Sequence, residues 1–340
     1  MLRGGGAQGS FHRIVSLENL FSAWREFKKG KMGSPDVQVF AFDLEANIFK
    51  LHQALLEKRW KPDPYQAFYV RDPKLRHIHK ATVRDRVLYQ AVFRVLYPVF
   101  DPLFIHDSYS CRSGKGTHAG VVQLECYLRK ASGNYHRSVY ALKCDVRKFF
   151  DSISHMVLLE LISRRVDDVK AMVLIQDIIS SFEKTPGYGL PLGNVTSQLF
   201  ANIYLNELDQ FVKHRLKIPH YLRYCDDFIV LGDSRSELVS LVPLVRLFLL
   251  DSLRLTLHPK KISIRKASTG IDFLGYVVLP HYRMIRTTTR KRIFRKLSVP
   301  GPAREAAISS YIGITTHAKG HLIKQRILEL CGGANGGRGS

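Results

Sequence analysis

Residues 219–232 read PHYLRYCDDFIVLG, and the residue types in this stretch decide the fold around it. Two short apolar, β-prone runs, Tyr221 to Tyr224 and Phe228 to Leu231, flank the adjacent carboxylates Asp226 and Asp227. This pattern predicts a β-hairpin with the two acids at its tip. Adjacent charges repel unless cations neutralise them, and hard cations such as Mg²⁺ prefer carboxylate oxygens. The alternative is an ordinary turn, because Asp-Asp is a common turn dipeptide.

A third carboxylate, Asp145, lies in LKCDVRKFFDSI (142–153), where a strand-like run over 139–146 turns into a helical pattern. The order strand–helix–strand–strand–helix–strand from about 139 to 265 matches a split βαβ sandwich. In such a core the Asp145 strand can lie beside the hairpin, so that Asp145 faces Asp226. Three carboxylates from two elements could hold two metal ions roughly 3.5–4 Å apart, which suits in-line phosphoryl transfer.

The overall charge points to a polyanionic partner. The 340 residues carry 52 Lys and Arg against 29 Asp and Glu, a formal charge of +23. Solubility does not require this excess, so nucleic acid is the first candidate partner. A membrane partner is not expected, because neither end carries a basic amphipathic anchor or the apolar core of a signal peptide. The most apolar stretch, 238–250, is too short to span a bilayer and contains Arg246, and we interpret it as a buried helix.

The five cysteines fit a reducing compartment, and a cytoplasmic location is expected. Their number is odd, and none belongs to a Cys-x-x-Cys pair. Zinc binding is not indicated by their spacing.

Periodicity and breakers predict the remaining elements. We expect a β-hairpin around Asp72-Pro73 and one or two strands over 271–285. The helices are expected at 17–27, 40–58, 84–97 (stopped by Pro98), 114–129, 196–216 and 237–253.

Seven stretches, in this order along the chain, resemble reverse transcriptases of the bacterial group II intron-like type. They are RHIHKATVRDRVLYQA, SGKGTHAG, LKCDVRKFFDSI, GLPLGNVTSQLFANIYLNELD, RYCDDFIVLG, HPKKISI and FLGY. The resemblance covers about residues 60–280 and implies an α+β, right-hand polymerase with fingers, a palm of split βαβ (ferredoxin-like) type and a short helical thumb. It places the N-terminal extension and fingers at 1–138, the palm at 139–279, and the basic thumb with a flexible C-terminus at 280–340.

The resemblance also implies a chemistry and its participants. Asp145, Asp226 and Asp227, with Val146 beside them, would hold two Mg²⁺ ions, for which Mn²⁺ can substitute. The partners would be template RNA, a primer or growing cDNA, and dNTPs. Lys261 of HPKK matches a lysine near the pyrophosphate leaving group, where it could act as a general acid; the alternative is a surface lysine.

Further residues would contact the nucleotide. By resemblance Arg76, and less directly Arg86, would grip the triphosphate, where Arg offers bidentate contacts; the alternative is a solvated or salt-bridged Arg. Phe150 would crowd a ribose 2′-OH and select deoxynucleotides, whereas its neighbour Phe149 is interpreted as core. Val146 is placed in the same nucleotide site.

The stretch from Leu192 to Gln198 would lie beside the nascent base pair. Gly193 permits close backbone approach, and Ser197 and Gln198 could contact template or nucleotide. The competing interpretation is helix capping by Thr196 or Ser197.

Two further stretches would contact the nucleic acid strands. Phe273, Leu274, Gly275 and Tyr276 resemble a primer grip; taken alone they would be a plain strand. Beyond residue 280, HYRMIRTTTRKRIFRK carries seven Lys or Arg and no acid, and would track the phosphates of an RNA–DNA duplex.

One departure suggests a subtype. Many relatives carry Gln before this glycine and Ser-Pro after it, whereas this chain has Leu192-Gly193 and Ser197-Gln198. With the SGKGTH stretch, this most resembles reverse transcriptases of diversity-generating retroelements. Those enzymes copy a template-repeat RNA with errors mainly at adenines and work with a small basic accessory variability determinant protein.

Alternatives stay open at this point. A stand-alone phage-defence or retron-type reverse transcriptase would share the same motifs. An RNA-dependent RNA polymerase would share the palm, but Phe150 and FLGY argue against it. A non-catalytic nucleic-acid-binding protein would be expected to carry a broken carboxylate set, and here all three acids are present.

Overall fold

The computed structural model describes residues 9–71 and 75–298, together with 308, 311–315, 318, 323, 325 and 327. The Asp72-Pro73 turn and most of the tail, including Cys331, lie outside the described residues. The described helices are α1 (Ser10–Val15), α2 (Leu17–Phe27), α3 (Pro35–Phe42), α4 (Leu44–Leu56), α5 (Val83–Phe100), α6 (Thr117–Ala131), α7 (Phe149–Ser152), α8 (His155–Ser163), α9 (Val169–Ser180), α10 (Val195–Gln210), α11 (Arg235–Leu253) and α12 (Thr287–Leu297).

The strands form three antiparallel sheets. The first pairs β1 (Gln66–Arg71) with β2 (Leu75–Lys80). The second has the order β4-β5-β3-β6, and the third the order β7-β8-β9. Their strands are β3 (Tyr140–Asp145), β4 (Tyr221–Tyr224), β5 (Asp227–Gly232), β6 (Ser263–Lys266), β7 (Ile271–Phe273), β8 (Tyr276–Leu279) and β9 (Tyr282–Ile285).

The four-stranded sheet confirms the expected split βαβ core. β3 pairs with both β5 and β6, so the chain order strand–helices–strand–strand–helix–strand closes into one antiparallel sheet. One face, with Leu142, Cys144 and Phe228, joins the main core formed with the surrounding helices. The other face, with Ala141 and Ile229, packs in a second core with α6 and the three-stranded sheet. Since both faces are covered, β5 has a continuous buried apolar run from Phe228 to Leu231 without alternation. The α+β fold class is therefore confirmed.

Three helix expectations needed correction. The single helix expected over 40–58 is two helices, broken at Asp43, because the Asn47 side-chain amide donates to the Phe40 carbonyl at 3.1 Å and ends α3 there. Pro98 does not stop α5, which continues to Phe100, since near a helix end proline removes only one hydrogen bond. Helix α11 is not buried all round: Leu249 and Leu253 are in the core, but Leu247 is 58% exposed.

The tail of the palm also differs from the prediction. Residues 271–285 form three strands rather than one or two. Within the described part of the chain, no helix has both the length and the apolar character to cross a membrane.

Candidate active site

The hairpin brings the two acids of its tip to the end of β3, although the residue opposite Asp145 is Asp227 rather than the predicted Asp226. In the ladder between β3 and β5, Asp145 lies directly opposite Asp227. Asp226 follows Cys225, whose left-handed backbone (φ 55°) makes the tight turn between β4 and β5. The backbone N–H of Val146 donates to the Asp226 carbonyl at 3.2 Å, which joins the end of β3 to the turn. Two elements distant in sequence thus meet at one edge of the sheet.

A buried ion pair between Arg223 and Asp209 stabilises this turn. The Arg223 guanidinium is fully buried and donates to both carboxylate oxygens of Asp209, at 2.7 and 2.6 Å. Its third nitrogen donates to the Cys225 carbonyl at 3.0 Å, and Tyr221 Oη donates to Asp209 at 2.6 Å. A bidentate pair with its remaining hydrogen bonds satisfied is rigid, so it fixes the backbone on which Asp226 is carried.

The acids at the tip are held in an environment that disfavours their charge. Burial, followed by the charge of Asp145, raises the pKa of Asp226. Burial also raises the pKa of Asp227 to about 6, against the opposing influence of Lys143. Carboxylates that are costly to ionise together are those that gain most from a bound cation.

Two lysines contact the acids. Lys261 Nζ lies 2.6 Å from Asp145 Oδ1, on a short 3₁₀ turn at the rim. Lys143 Nζ lies 3.0 Å from Asp227 Oδ2. Sequence reasoning singled out Lys261 but missed Lys143. The signal was its place two residues before Asp145, which puts both side chains on the same face of β3.

The donor set fits a divalent metal. Among the described residues no three His, Cys, Asp or Glu side chains converge into a ready-formed metal site, and the two lysines already engage Asp145 and Asp227. However, Asp227 Oδ1 is buried and has no hydrogen-bond partner. A buried carboxylate oxygen without a partner is costly unless a ligand completes it. Oxygen donors of this kind suit Mg²⁺ or Mn²⁺.

The aromatic pair after Asp145 divides into a core ring and a site ring. Phe149 is buried in the main core, whereas Phe150 is only partly buried. The two rings pack edge to face, with their centres 5.3 Å apart. The Phe150 carbonyl accepts from the Leu190 N–H at 2.8 Å, so this residue is tied to the loop that carries Leu192. The geometry leaves Phe150 available as the sugar-selecting residue, which stays a prediction.

The loop before α10 is positioned by an unusual glycine. Gly193 has φ 112°, a conformation that side chains rarely adopt, and Ile78 of β2 lies 3.7 Å from where a Cβ would stand. Leu192 is partly exposed and Gln198 exposed, while Ser197 is buried. Helix α10 begins with Asn194 at its N-cap position and without a side-chain cap, so Thr196 and Ser197 do not cap it.

The two finger arginines have different surroundings. Arg76 is exposed on β2 and lines the large groove described below. Arg86 is mostly buried, forms an ion pair with Asp36, and lies over the Phe27 ring at 5.0 Å. The geometry therefore supports the salt-bridged alternative for Arg86, whereas Arg76 is exposed to the groove and its contact with a nucleotide stays a prediction.

The FLGY stretch is a hairpin turn rather than a plain strand. Phe273 pairs with Tyr276, and Leu274 and Gly275 both have positive φ (50° and 90°), as a tight two-residue turn requires. Phe273 and Tyr276 are buried, so Leu274 and Gly275 of the turn are the residues of this stretch that can contact the end of a nucleic-acid strand.

A basic groove lies between the strand that carries Arg76 and the FLGY turn, and the three carboxylates are not among its lining residues. It has a volume of about 1060 Å³ and is lined by Arg76 from the fingers, by Leu274 and Gly275 of the turn, and by the basic face of α12. The α12 residues on this groove include Lys291 and Arg295, both exposed. Its positive lining suits phosphate contacts.

Comparison with known proteins identifies the family. Residues 61–278 match the model of the family described as reverse transcriptase (RNA-dependent DNA polymerase). Since this match spans more than half of the chain, the chain belongs to that family. It is of the RNA-directed DNA polymerase class, as the motifs predicted.

Several of the similar curated proteins are intron-encoded proteins or intron maturases. The chain is 25% identical to protein YkfC of Escherichia coli (strain K12) over 288 residues, covering 73% of this chain and 74% of YkfC. It is also 25% identical to the group II intron-encoded protein LtrA of Lactococcus lactis subsp. cremoris, in an alignment of 350 positions that includes gaps. That alignment covers 82% of this chain and 56% of LtrA. The chain thus spans about half of LtrA. Among solved structures, apo telomerase from Candida tropicalis matches with a TM-score of 0.49 at 12% identity, over 71% of this chain and 60% of that chain.

Proposed function

We propose that this protein synthesises cDNA on an RNA template, with Asp145, Asp226 and Asp227 as the metal-binding residues. The observation that carries the proposal is the register of the palm sheet, which sets Asp145 opposite Asp227 and leaves Asp227 Oδ1 buried without a partner. In this proposal residues 1–138 form the extension and fingers, 139–279 the palm, and 280–340 the thumb and C-terminus. The protein would act in the cytoplasm.

The surrounding residues would each perform one task. Arg76 would hold the triphosphate from the finger side of the groove, and Phe150 would exclude a 2′-OH. The turn at Leu274 and Gly275 would support the primer terminus, and Lys261 would protonate the departing pyrophosphate. Two Mg²⁺ ions bound by the three carboxylates, with Val146 beside them, would supply the charge that activates the primer hydroxyl and stabilises the leaving group.

Primer extension with the purified chain tests this function. A defined RNA template, a DNA primer, dNTPs and Mg²⁺ should give full-length cDNA. Asp226→Asn should reduce the rate on the order of 10³-fold, because metal-borne stabilisation worth several kcal/mol is lost. The same variant should fold normally, because it removes a charge that burial disfavours. Undiminished synthesis by a pure sample of this variant would refute the metal assignment. Replacing dNTPs by NTPs in the same assay distinguishes a reverse transcriptase from an RNA polymerase, because only the RNA polymerase should then extend the primer efficiently.

We further propose that the enzyme is the error-prone polymerase of a diversity-generating retroelement, working with a small basic accessory variability determinant protein. The supporting feature is Leu192, a partly exposed aliphatic residue immediately before Gly193, whose positive φ other residues rarely adopt. Its side chain cannot make the hydrogen bonds that a Gln would make near the templating pair. Together with Arg76, it would relax base selection at template adenines.

Restoring the glutamine tests the subtype. Leu192→Gln should lower misincorporation opposite template adenine, while errors opposite the other bases change less. Sequencing of cDNA made on one defined RNA measures both rates. If the error spectrum is unchanged, Leu192 is not the cause. A phage-defence or retron-type enzyme remains the second candidate, and neighbouring genes, namely a small basic protein and a near-identical repeat pair, discriminate between them.

A further inference from the structure

Lys143 contacts two hairpins that lie far apart in the sequence. It lies in β3, and its side chain is 24% exposed. Its ammonium donates to Asp227 Oδ2 at 3.0 Å and to the Asp272 backbone carbonyl at 2.8 Å, and it lies 5.9 Å from the centre of the Phe273 ring. One lysine therefore bonds both to the catalytic hairpin and to the strand that leads into the FLGY turn.

The other lysine of the site does not make this connection. Lys261 is 40% exposed and contacts Asp145 from the rim. Lys143 instead spans the space between the four-stranded and the three-stranded sheets, whose apolar faces meet in the second core. A polar link inside such a layer is retained only if its hydrogen bonds are satisfied, and here two are.

The link continues beyond Asp272. The Asp272 carboxylate pairs with Arg286, and the Arg286 backbone N–H donates to the Gly275 carbonyl at 2.9 Å. Arg286 immediately precedes α12. Lys143 is thus the first member of a chain of contacts that runs from a metal-binding carboxylate through β7 to the FLGY turn and the start of the thumb helix.

We propose that Lys143 is a positioning residue that sets the primer terminus relative to the metal-binding carboxylates. Its bond to Oδ2 leaves Oδ1 of Asp227, which has no hydrogen-bond partner, as the oxygen that a cation would complete. Its bond to the Asp272 carbonyl holds the hairpin whose turn supports the primer. The inference rests on the proposed function, since it assumes that this turn holds a primer end.

The test compares three variants. Lys143→Met keeps an apolar stem against Phe273 but removes the ammonium, Lys143→Arg keeps a donor, and Lys50→Met is a control on the exposed side of α4. We expect Lys143→Met to lower kcat/KM for the primer–template duplex by about 10- to 100-fold, because small displacements of reacting groups have effects of this size. Lys143→Arg should recover part of the loss, and Lys50→Met should match the wild type.

Magnesium dependence separates positioning from general damage. Without the ammonium both oxygens of Asp227 are free for a cation, so Lys143→Met should need no more Mg²⁺ than the wild type, or less. A variant that was merely misfolded would need more Mg²⁺ and melt earlier. An unchanged kcat/KM for the duplex, or a raised Mg²⁺ requirement at unchanged duplex KM, would overturn the proposal.

Two measurements without turnover keep this test independent of the proposed function. Fluorescence anisotropy of a labelled primer–template duplex reports its affinity, and melting with increasing Mg²⁺ reports metal binding. If the wild type makes no cDNA, the proposed function fails, while these readouts still decide whether Lys143 links the two hairpins. Equal duplex affinity in Lys143→Met and wild type would then refute the link.

Discussion

Two antiparallel hairpins carry residues of the candidate site, and they are built in opposite ways. In the palm hairpin, β4–β5, Tyr221 and Ile229 are fully buried. In the finger hairpin, β1–β2, large apolar side chains stay in solvent, with Tyr69 66% and Leu75 58% exposed. The first hairpin is part of the core, so its acids are fixed by the fold. The second hairpin adds little buried area to the domain. Arg76 on this hairpin can therefore contact a substrate without contributing to the stability of the fold.

The largest effect is expected where the palm hairpin is anchored. Arg223→Met leaves the Asp209 carboxylate buried without its charged partner, which should cost about 3–5 kcal/mol of unfolding free energy. Urea unfolding measures this loss. The double variant Arg223→Met with Asp209→Leu should recover part of it, because no lone charge then remains. A single variant as stable as the wild type would show that the pair does not hold the turn.

A change in the finger hairpin should act on substrate rather than on stability. Arg76→Met should raise the KM for dNTPs by about 10- to 100-fold, the value of hydrogen bonds to a charged partner, at an unchanged melting temperature. Arg71→Met, exposed at the end of the same hairpin, is the matched control. Arg86→Met should lower the melting temperature and leave the KM for dNTPs unchanged, because the ion pair of Arg86 with Asp36 is structural. A lower melting temperature for Arg76→Met would contradict the contrast between the hairpins.

Phe150 provides an intermediate case, because it belongs to the palm but is only partly buried. Phe150→Val should narrow the preference for dNTPs over NTPs by about 10-fold, since a shape filter of this kind is worth about 1–3 kcal/mol. Competition between the two nucleotide types in primer extension measures the ratio. The corresponding change in the core ring, Phe149→Val, should lower stability and leave the ratio unchanged.

The smallest effect is a slope in stability with pH. The pKa of Asp227 rises from 3.8 to about 6 on folding, so between these values the folded chain holds a proton that the unfolded chain has lost. Metal-free protein should therefore lose stability as the pH rises from about 4 to 6, with no further loss above that window. Asp227→Asn should flatten the slope, and the exposed Asp167→Asn should not. Mg²⁺ should restore stability only above the window, where the carboxylate is ionised.

Much of this architecture could be predicted from sequence, for identifiable reasons. The palm hairpin and the position of Asp145 follow from apolar runs and turn residues within short windows. The roles of Lys143 and Arg223 could not be predicted, because the partners of a single charged side chain depend on how distant strands align. Arginine is usually at the surface, so the complete burial of Arg223 has no local signal. The same applies to Arg86, whose partner Asp36 lies fifty residues earlier.

The pairing of β3 with β5 has a consequence for how the chain is made. Asp145 and Asp227 meet only after the four intervening helices α7 to α10 have been synthesised. At translation rates of about 5–20 residues per second, roughly 4 to 16 s separate the appearance of the two carboxylates. During that interval the emerging chain already presents the finger hairpin with Arg76, but it has no assembled catalytic edge. The edge that carries the three carboxylates therefore cannot form before this long-range strand pairing, an intrinsically slow type of contact, is complete.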